Sequence, residues 1–98
     1  MRAGRLVLGT KSVREAARHG KLSAALMATD ATENARDRVL PLLAAREVRV
    51  ARCGTVRELG KAVGRERLAI IGITDRGFAD RLMTGLSVEV WSERSENR

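Results

Sequence analysis

Short aliphatic runs alternate with segments that begin like helices, and this alternation constrains the fold more than any other feature of the chain. The runs lie at residues 6–8, 24–28, 48–51 and 68–73, and a stretch with apolar residues at helical spacing follows each. Continuous apolar runs are typical of strands that are covered on both faces. Strand and helix therefore alternate four times, which predicts an α/β fold with helices on both faces of a small sheet.

Polar residues before the first two helical stretches predict where those helices begin. Thr10 is expected to cap the first helix and Asp30 the second, because short oxygen-bearing side chains accept hydrogen bonds from the first turn. Pro41 lies inside the second stretch. Because proline has no backbone N–H, we expect a kink or a break in the helix near residues 37–41.

The signals are clearer in the second half of the chain. Thr55-Val56-Arg57-Glu58 matches the capping box that opens a helix, and Gly64 offers the left-handed conformation that ends one. A fourth helix, capped by Thr74 or Asp75, is expected from about Arg76 to Met83. Apolar and polar residues alternate over residues 86–90, which predicts a short edge strand.

The composition excludes several classes of function. The length of 98 residues suits one domain, which we expect at residues 1–91, with a disordered polar tail at 92–98. One Cys and one His exclude an intrachain disulfide and a Cys-based or multi-His metal site, and we expect no cofactor. No apolar run approaches the ~18 residues of a membrane span, so we expect a cytoplasmic protein. Aromatic residues make up 2% of the chain, too few for a platform that stacks bases.

Basic residues are concentrated in two blocks. Residues 1–21 hold six basic residues against one acidic residue, and residues 48–67 hold six against two. Each of the other two segments has one more acidic than basic residue, so the net charge of +7 comes from the two blocks. Two solvated surfaces would explain this pattern, and so would a polyanionic partner.

Patterns typical of enzymes are present but incomplete. Residues 4–12 come close to a phosphate-binding P-loop, but Thr10 separates the second glycine from Lys11, and aliphatic residues occupy the loop. His19 with Asp30 or Glu15 would make an acid–base pair, yet nothing in the sequence brings these residues together. We therefore expect no catalysis and no small-molecule substrate.

Each basic block contains a helix start that directly follows a strand. Gly9-Thr10-Lys11-Ser12 opens the first helix, with Arg14 and Arg18 behind it, and Arg52-Cys53-Gly54-Thr55 leads into the third. Backbone N–H groups at a helix start attract phosphate. Cys53, beside Arg52, is interpreted as a small filler rather than a reactive thiol. Two basic helix starts in one small domain favour RNA binding over two ordinary capped helices.

Four segments together resemble the kink-turn RNA-binding ribosomal protein family. The segments are GTKSV (9–13), ATDATEN (28–34), ELGKAVG (58–64) and ITDRGFA (73–79). The family includes archaeal and eukaryotic large-subunit ribosomal proteins, the core protein of box C/D ribonucleoproteins and bacterial YlxQ-type proteins, which the chain resembles most. The similarity runs from about Met1 to Leu82, and the Leu-Gly-Lys-Ala-Val-Gly segment is its most specific part.

The resemblance implies a fold and a mode of RNA binding. The implied fold is a three-layer α/β/α sandwich around a small four-stranded mixed sheet. The first helix tip would enter the major groove of a sharply bent RNA at tandem sheared G·A pairs, and the loop at residues 52–56 would cover a flipped-out nucleotide. The partner would be structured RNA, such as ribosomal RNA, and the role would be associated with translation. The resemblance assigns RNA binding to Gly9, Thr10, Lys11, Ser12, Arg52, Cys53, Gly54, Thr55 and Val56. The basic blocks add Arg14, Arg18 and Lys61 as RNA-binding residues, and we expect a monomer because a strongly basic surface repels a second copy.

The chain departs from the family pattern at the expected interface. Lys11-Ser12 stands where many strong binders have Asn-Glu, and Glu15 stands where a Lys is usual. Cys53-Gly54 replaces bulkier aliphatic residues. A helix usually precedes the first strand in the YlxQ-type proteins, so either the native start lies upstream of Met1 or one face of the sheet is less covered than usual. We therefore expect weaker or differently tuned RNA binding. The alternative function is a protein-interaction module of the same fold that docks an acidic partner.

Overall fold

A computed structural model of the chain describes residues 6–84 and 88–90. The elements in chain order are β1 (Leu6–Leu8), α1 (Gly9–Arg18), β2 (Ala24–Met27), α2 (Glu33–Ala45), β3 (Arg49–Arg52), α3 (Val56–Ala62), β4 (Ile70–Ile73), α4 (Arg76–Thr84) and β5 (Val88–Val90). The tail predicted at residues 92–98 lies outside the described residues, so the limits of the domain stay a prediction.

The strands form one mixed sheet in the order β1-β4-β2-β3-β5. β2 and β3 are parallel, and the other neighbouring pairs are antiparallel. The α/β class and the mixed sheet between helices are thus confirmed. The four strands that the resemblance implied are β1 to β4, and β5 adds a fifth along β3, within the segment whose alternation predicted a short edge strand.

The register of the sheet brings three strand ends to one edge. Leu8 and Leu26 both lie opposite Ile71, and Met27 lies beside Arg52. The carboxyl ends of β1, β2 and β3 therefore share an edge, which we call the carboxyl edge. It carries the start of α1 at Gly9 and the loops at residues 28–32 and 53–55.

Helices cover both faces of this sheet. Val13 and Ala17 of α1 share a buried apolar cluster with Val39 and Leu43 of α2. A second cluster joins Ala79 of α4 to Ala24, Ala51 and Ile73, which lie on the other face. Because successive strand residues point to opposite faces, β2, β3 and β4 each supply buried residues to both clusters.

A glycine in β4 allows α1 to pack closely on the sheet. A Cβ atom built at Gly72 would lie 2.6 Å from both Val7 Cγ2 and Leu22 Cδ1, and 3.1 Å from Val13 Cγ2. Any larger residue would displace this part of the core. Gly72 thus fixes the position of α1 and the direction of its first turn.

Two predicted caps are wrong, and α2 does not break where a kink or a break was predicted. Thr10 lies inside α1, whose N-cap residue is Leu8. The N-cap of α2 is Thr32, whose side chain accepts a hydrogen bond from the Ala35 N–H, and not Asp30. α2 continues through Pro41 from Glu33 to Ala45. Because Pro41 lies on the exposed side of the helix, solvent can reach the carbonyl that loses its usual N–H partner.

Three other boundary predictions are confirmed. Thr55 caps α3 through a complete capping box with Glu58. Gly64 after α3 has φ +81°, the left-handed conformation expected at a helix end. Asp75 Oδ1 accepts a 2.9 Å hydrogen bond from the Phe78 N–H at the start of α4, which selects Asp75 from the two predicted caps.

Candidate nucleic-acid interface

The start of α1 is an open helix terminus on the carboxyl edge. The chain leaves β1 at Leu8 and enters α1 directly at Gly9, whose φ of +92° favours glycine. A Cβ at Gly9 would meet no atom within 4 Å, so the backbone is bare on that side. No side chain caps the helix and its first turn contains no acidic residue. The first-turn N–H groups and the positive end of the helix dipole are therefore available to an anion.

The residues that surround this terminus are suited to phosphate. Lys11 and Ser12 are exposed, and Thr10 is half-buried. Lysine contributes a charge, and the two hydroxyl groups can donate hydrogen bonds to phosphate or to base edges. We call residues 9–12 the α1 tip.

The start of α3, on the same edge, is closed. The Glu58 N–H donates to Thr55 Oγ1 (3.1 Å), and the Thr55 N–H donates to Glu58 Oε1 (2.9 Å). The Val56 N–H donates to Asp30 Oδ1 (2.8 Å), across 26 residues of sequence. Side chains of the protein itself thus satisfy these donors.

The loop before α3 is fixed to the loop before α2. The backbone N–H of Thr29 and its Oγ1 both donate to the Gly54 carbonyl oxygen, at 2.7 and 2.9 Å. The Cys53 N–H donates to the Met27 carbonyl oxygen at 3.0 Å. Together with the Asp30 contact, these bonds hold residues 52–56 as a firm segment, which we call the β3–α3 loop. Its Arg52 is exposed, and the free thiol residue Cys53 is half-buried.

An open groove of about 650 Å³ continues from this loop along α3. Its lining consists of Arg57, Glu58, Lys61, Arg65, Glu66 and Arg67. Gly60 allows the turn after α3 to pass close to the helix, because a Cβ there would lie 2.8 Å from the Arg65 carbonyl oxygen and from the Arg67 nitrogen. Lys61 lines this groove rather than the edge between the α1 tip and the β3–α3 loop.

Most of the predicted residues come together, and two, Lys61 and Arg18, do not. The α1 tip and the β3–α3 loop lie on one edge, three strand positions apart, or roughly 14 Å. Arg14 lies one turn into α1, half-buried, and its Nε is buried without a hydrogen-bond partner. Arg18 is the last residue of α1, about 13 Å from Gly9 along the helix axis. The structure therefore separates Arg18 from the α1 tip.

Sequence reasoning missed how Asp30 and Thr29 fix the β3–α3 loop. The acidic side chain was visible in the sequence, but the cap pattern assigned it to its own helix. Arg65 and Arg67 belong to the second basic block, but the sequence did not predict where they lie. The structure puts them in the groove beside α3. No local pattern in the sequence indicates either contact.

The structure places the residues of the enzyme-like patterns differently. Residues 6–8 of the P-loop-like segment are a strand, so they cannot wrap a phosphate. His19 and Glu15 line one groove beside α1, whereas Asp30 lies on the carboxyl edge, at the opposite end of the sheet from His19. Within residues 6–84 and 88–90, no group of three His, Cys, Asp or Glu residues could hold a metal ion. In the same part of the chain, no helix combines the length and apolar character that a membrane span requires.

The fold is similar to that of a solved structure from Bacillus halodurans, described as a protein with unknown function. The TM-score is 0.76 and the sequence identity 26%, over 84% of this chain and 83% of that one. No curated protein matches the chain. A family model matches residues 1–83, and its description is the ribosomal protein L7Ae/L30e/S12e/Gadd45 family. The match covers most of the chain and supports an RNA-binding, ribosome-associated role. By this match the chain belongs to the L7Ae/L30e/S12e/Gadd45 family of ribosomal proteins.

Proposed function

We propose that the chain binds a sharply bent, kink-turn-like RNA through the α1 tip and the β3–α3 loop. It does so without catalysis, as a cytoplasmic protein of the YlxQ type that is associated with the ribosome or with translation. The α1 tip enters the widened major groove at the sheared G·A pairs. The β3–α3 loop lies over the flipped-out nucleotide.

The open start of α1 is the observation that carries the proposal. Within the described residues, α2 and α3 each begin with a threonine cap and an acidic residue in the first turn, whereas α1 has neither. An uncapped helix start costs stability unless solvent or a ligand satisfies its donors. With Lys11 and Ser12 exposed beside these donors, phosphate or a base edge is the ligand that suits them.

The β3–α3 loop contributes in a different way. Because Asp30 and Glu58 occupy the donors at the start of α3, this loop offers shape and the charge of Arg52 rather than helix N–H groups. The half-buried Cys53 and Gly54 present a small surface. A small surface covers less of a flipped-out nucleotide than bulky aliphatic residues would, so most of the specificity comes from the α1 tip.

The test is a titration of a fluorescent kink-turn RNA at about 0.15 M salt. The control RNA has the same length, with its sheared G·A pairs changed to Watson–Crick pairs. We expect the kink-turn RNA to bind ~100-fold more tightly, which corresponds to about 2.7 kcal/mol. Equal affinity for both RNAs would contradict shape-specific recognition. Absence of binding to either RNA would favour the alternative, an acidic protein partner.

A variant at the α1 tip ties the preference to this site. Lys11→Ala should reduce affinity for the kink-turn RNA more than affinity for the control RNA, because Lys11 is positioned at the bend. Arg81→Ala, an exposed change on α4, removes the same charge from the opposite helical layer and should leave the preference intact. Equal losses on both RNAs from Lys11→Ala would contradict the assignment of Lys11.

A further inference from the structure

Two arginines of α1 face the neighbouring helix. Val13, Ala16 and Ala17 are the buried residues of α1, and at 100° per residue Arg14 and Arg18 lie on one flank of that buried side. The opposite flank, which includes Ser12 and His19, lines a groove against Val7 at the edge strand β1. Since α1 packs against α2, the flank with Arg14 is the one that faces α2, and Arg18, 40° further around the helix, is exposed at the outer border of that flank.

One arginine of α2 and one directly after it lie on the side toward α1. Arg36 and Leu40 line a cleft with Val50 of β3, so this flank of α2 points away from α1. Arg38 lies on the other flank, and it is exposed. Arg46, directly after α2, donates a 3.0 Å hydrogen bond from Nη2 to the Arg18 carbonyl oxygen. We call Arg14, Arg18, Arg38 and Arg46 the arginine seam.

The acidic residues of both helices lie off this seam. Glu15 lines the groove on the β1 side of α1. Glu33 and Asp37 are exposed and lie a quarter turn or more around α2 from Arg38 at 100° per residue. The seam therefore carries positive charge that no acidic residue of α1 or α2 neutralises across it.

Arg14 gives independent evidence of an unmet interaction. Its Nε is buried and has no hydrogen-bond partner among the described residues. A buried donor on a charged group is costly when it stays unpaired. A phosphate oxygen that settles between α1 and α2 would supply the acceptor.

We propose that the arginine seam binds the phosphate backbone of the RNA stem that leaves the α1 tip. This proposal rests on the proposed function and extends the interface away from the bend. Arg14 and Arg38 each lie five residues from the first residue of their helices, or about 7.5 Å along the axes. On α1 the seam runs from Arg14, about 7.5 Å from Gly9, to Arg18, about 13 Å from it, which is the length of roughly two nucleotides of a strand at ~3.4 Å each.

The test compares kink-turn RNAs that differ only in the length of a stem. Each of the two stems is varied separately, from about three to about ten base pairs, around an unchanged bend. We expect one of the long-stem RNAs to bind wild-type protein at least ~10-fold more tightly than the short-stem RNA. The double variant Arg18→Glu/Arg38→Glu should lose this gain. The slope of its log affinity for the long-stem RNA against log salt concentration should be smaller than that of wild type by about two phosphate contacts, at ~0.7–0.9 for each contact.

Matched variants separate charge from folding. Arg76→Glu/Arg81→Glu makes the same change of charge on exposed residues of α4 and should keep the gain. Arg18→Gln/Arg38→Gln tests the same positions with a milder change and should lose part of the gain, with folding of every variant checked by circular dichroism. A gain that persists in Arg18→Glu/Arg38→Glu, or that the α4 variant also loses, would overturn the proposal.

The two proposals can fail separately. The preference for the bend is read from short-stem RNAs with and without sheared G·A pairs. The seam is read from the dependence on stem length. Loss of the first with the second intact would contradict kink recognition alone, and the reverse result would contradict the seam alone.

Discussion

The α1 tip and the start of α3 occupy similar positions in the fold, but their backbone N–H groups are satisfied differently. Both follow a strand that ends on the carboxyl edge, and both begin within a basic block of sequence. The first-turn donors of α3 are bound by Thr55 and Asp30, whereas no side chain caps α1. One edge of the sheet thus carries a helix start with open N–H donors and another whose donors are bound by side chains of the protein.

This difference shows how a small domain can be stable and still keep open donors for a ligand. Bonds that close α3 contribute to the free energy of unfolding, because they replace water at several donors. The open donors of α1 contribute little until an anion binds them. Changes at the start of α3 should therefore affect stability first, and changes at the α1 tip should affect RNA affinity first.

The largest expected effect is on the packing beside α3. Gly60→Ala should lower the free energy of unfolding by about 2–3 kcal/mol, because the added Cβ meets backbone atoms of Arg65 and Arg67 at 2.8–2.9 Å. Urea unfolding followed by circular dichroism measures the change. Gly77→Ala, in α4, is the matched control, since the nearest atom to its Cβ is 3.5 Å away. It should be neutral or stabilising by about 0.5 kcal/mol, and equal losses for both variants would contradict the packing argument.

An acidic residue at the α1 tip should separate stability from affinity. Thr10→Asp should stabilise α1 by about 0.5 kcal/mol through its dipole and weaken kink-turn RNA binding on the order of 30-fold, or roughly 2 kcal/mol. Thermal melting and RNA titration measure the two effects.

The control for Thr10→Asp is Asn34→Asp, the same charge change on an exposed residue in the first turn of α2. α2 already has a threonine cap and Glu33, so we expect less than about a threefold change in affinity. If both variants weaken RNA binding alike, the α1 tip has no special part in recognition.

The contact between Asp30 and α3 should be worth a measurable amount of stability. Asp30→Ala leaves the half-buried Val56 N–H without its acceptor and should cost about 1.5 kcal/mol. Asp30→Asn keeps an acceptor oxygen and should recover part of the loss. Asp37→Ala, an exposed change on α2, should stay within about 0.5 kcal/mol of wild type. A loss no larger for Asp30→Ala than for Asp37→Ala would show that the long-range bond contributes nothing.

The smallest effect distinguishes a capping threonine from a helical one. Thr55→Ala should cost about 1 kcal/mol because it removes the acceptor for the Glu58 N–H. Thr55→Ser should restore most of it. Thr10→Ala should change stability by no more than about 0.3 kcal/mol, since Thr10 caps nothing in α1. A larger loss of stability in urea unfolding for Thr10→Ala than for Thr55→Ala would show instead that Thr10 acts as the cap of α1.

The sequence predicted contacts that lie close along the chain. The capping box joins Thr55 to Glu58, three residues apart, so its pattern is readable without a structure. The hydrogen bond from Val56 to Asp30 crosses 26 residues. The local pattern predicted Asp30 as the cap of α2 instead, because the start of that helix is nearest in the sequence. A kink or a break was expected at Pro41. The sequence could not predict that the helix continues, because it does not show that this side of α2 faces solvent.

The interface was predictable in part for the same reason. The two basic blocks and the helix starts were visible in the sequence, and the fold brings them to one edge. The spacing of Arg14 and Arg18 placed both on one helix flank but not at one end of the domain, so Arg18 was grouped with a tip about 13 Å away. Arg38 was overlooked because it lies in a segment whose net charge is negative.

The most direct test of the central claim is amide hydrogen exchange measured residue by residue, with and without kink-turn RNA. In the free protein, the amides of Thr10 and Lys11 should exchange rapidly, and those of Val56 and Glu58 should be protected. Kink-turn RNA should protect Thr10 and Lys11 and leave Val56 and Glu58 nearly unchanged. Protection that rises at Val56 and Glu58 while Thr10 and Lys11 stay rapidly exchanging would contradict the assignment of the α1 tip as the open end of the interface.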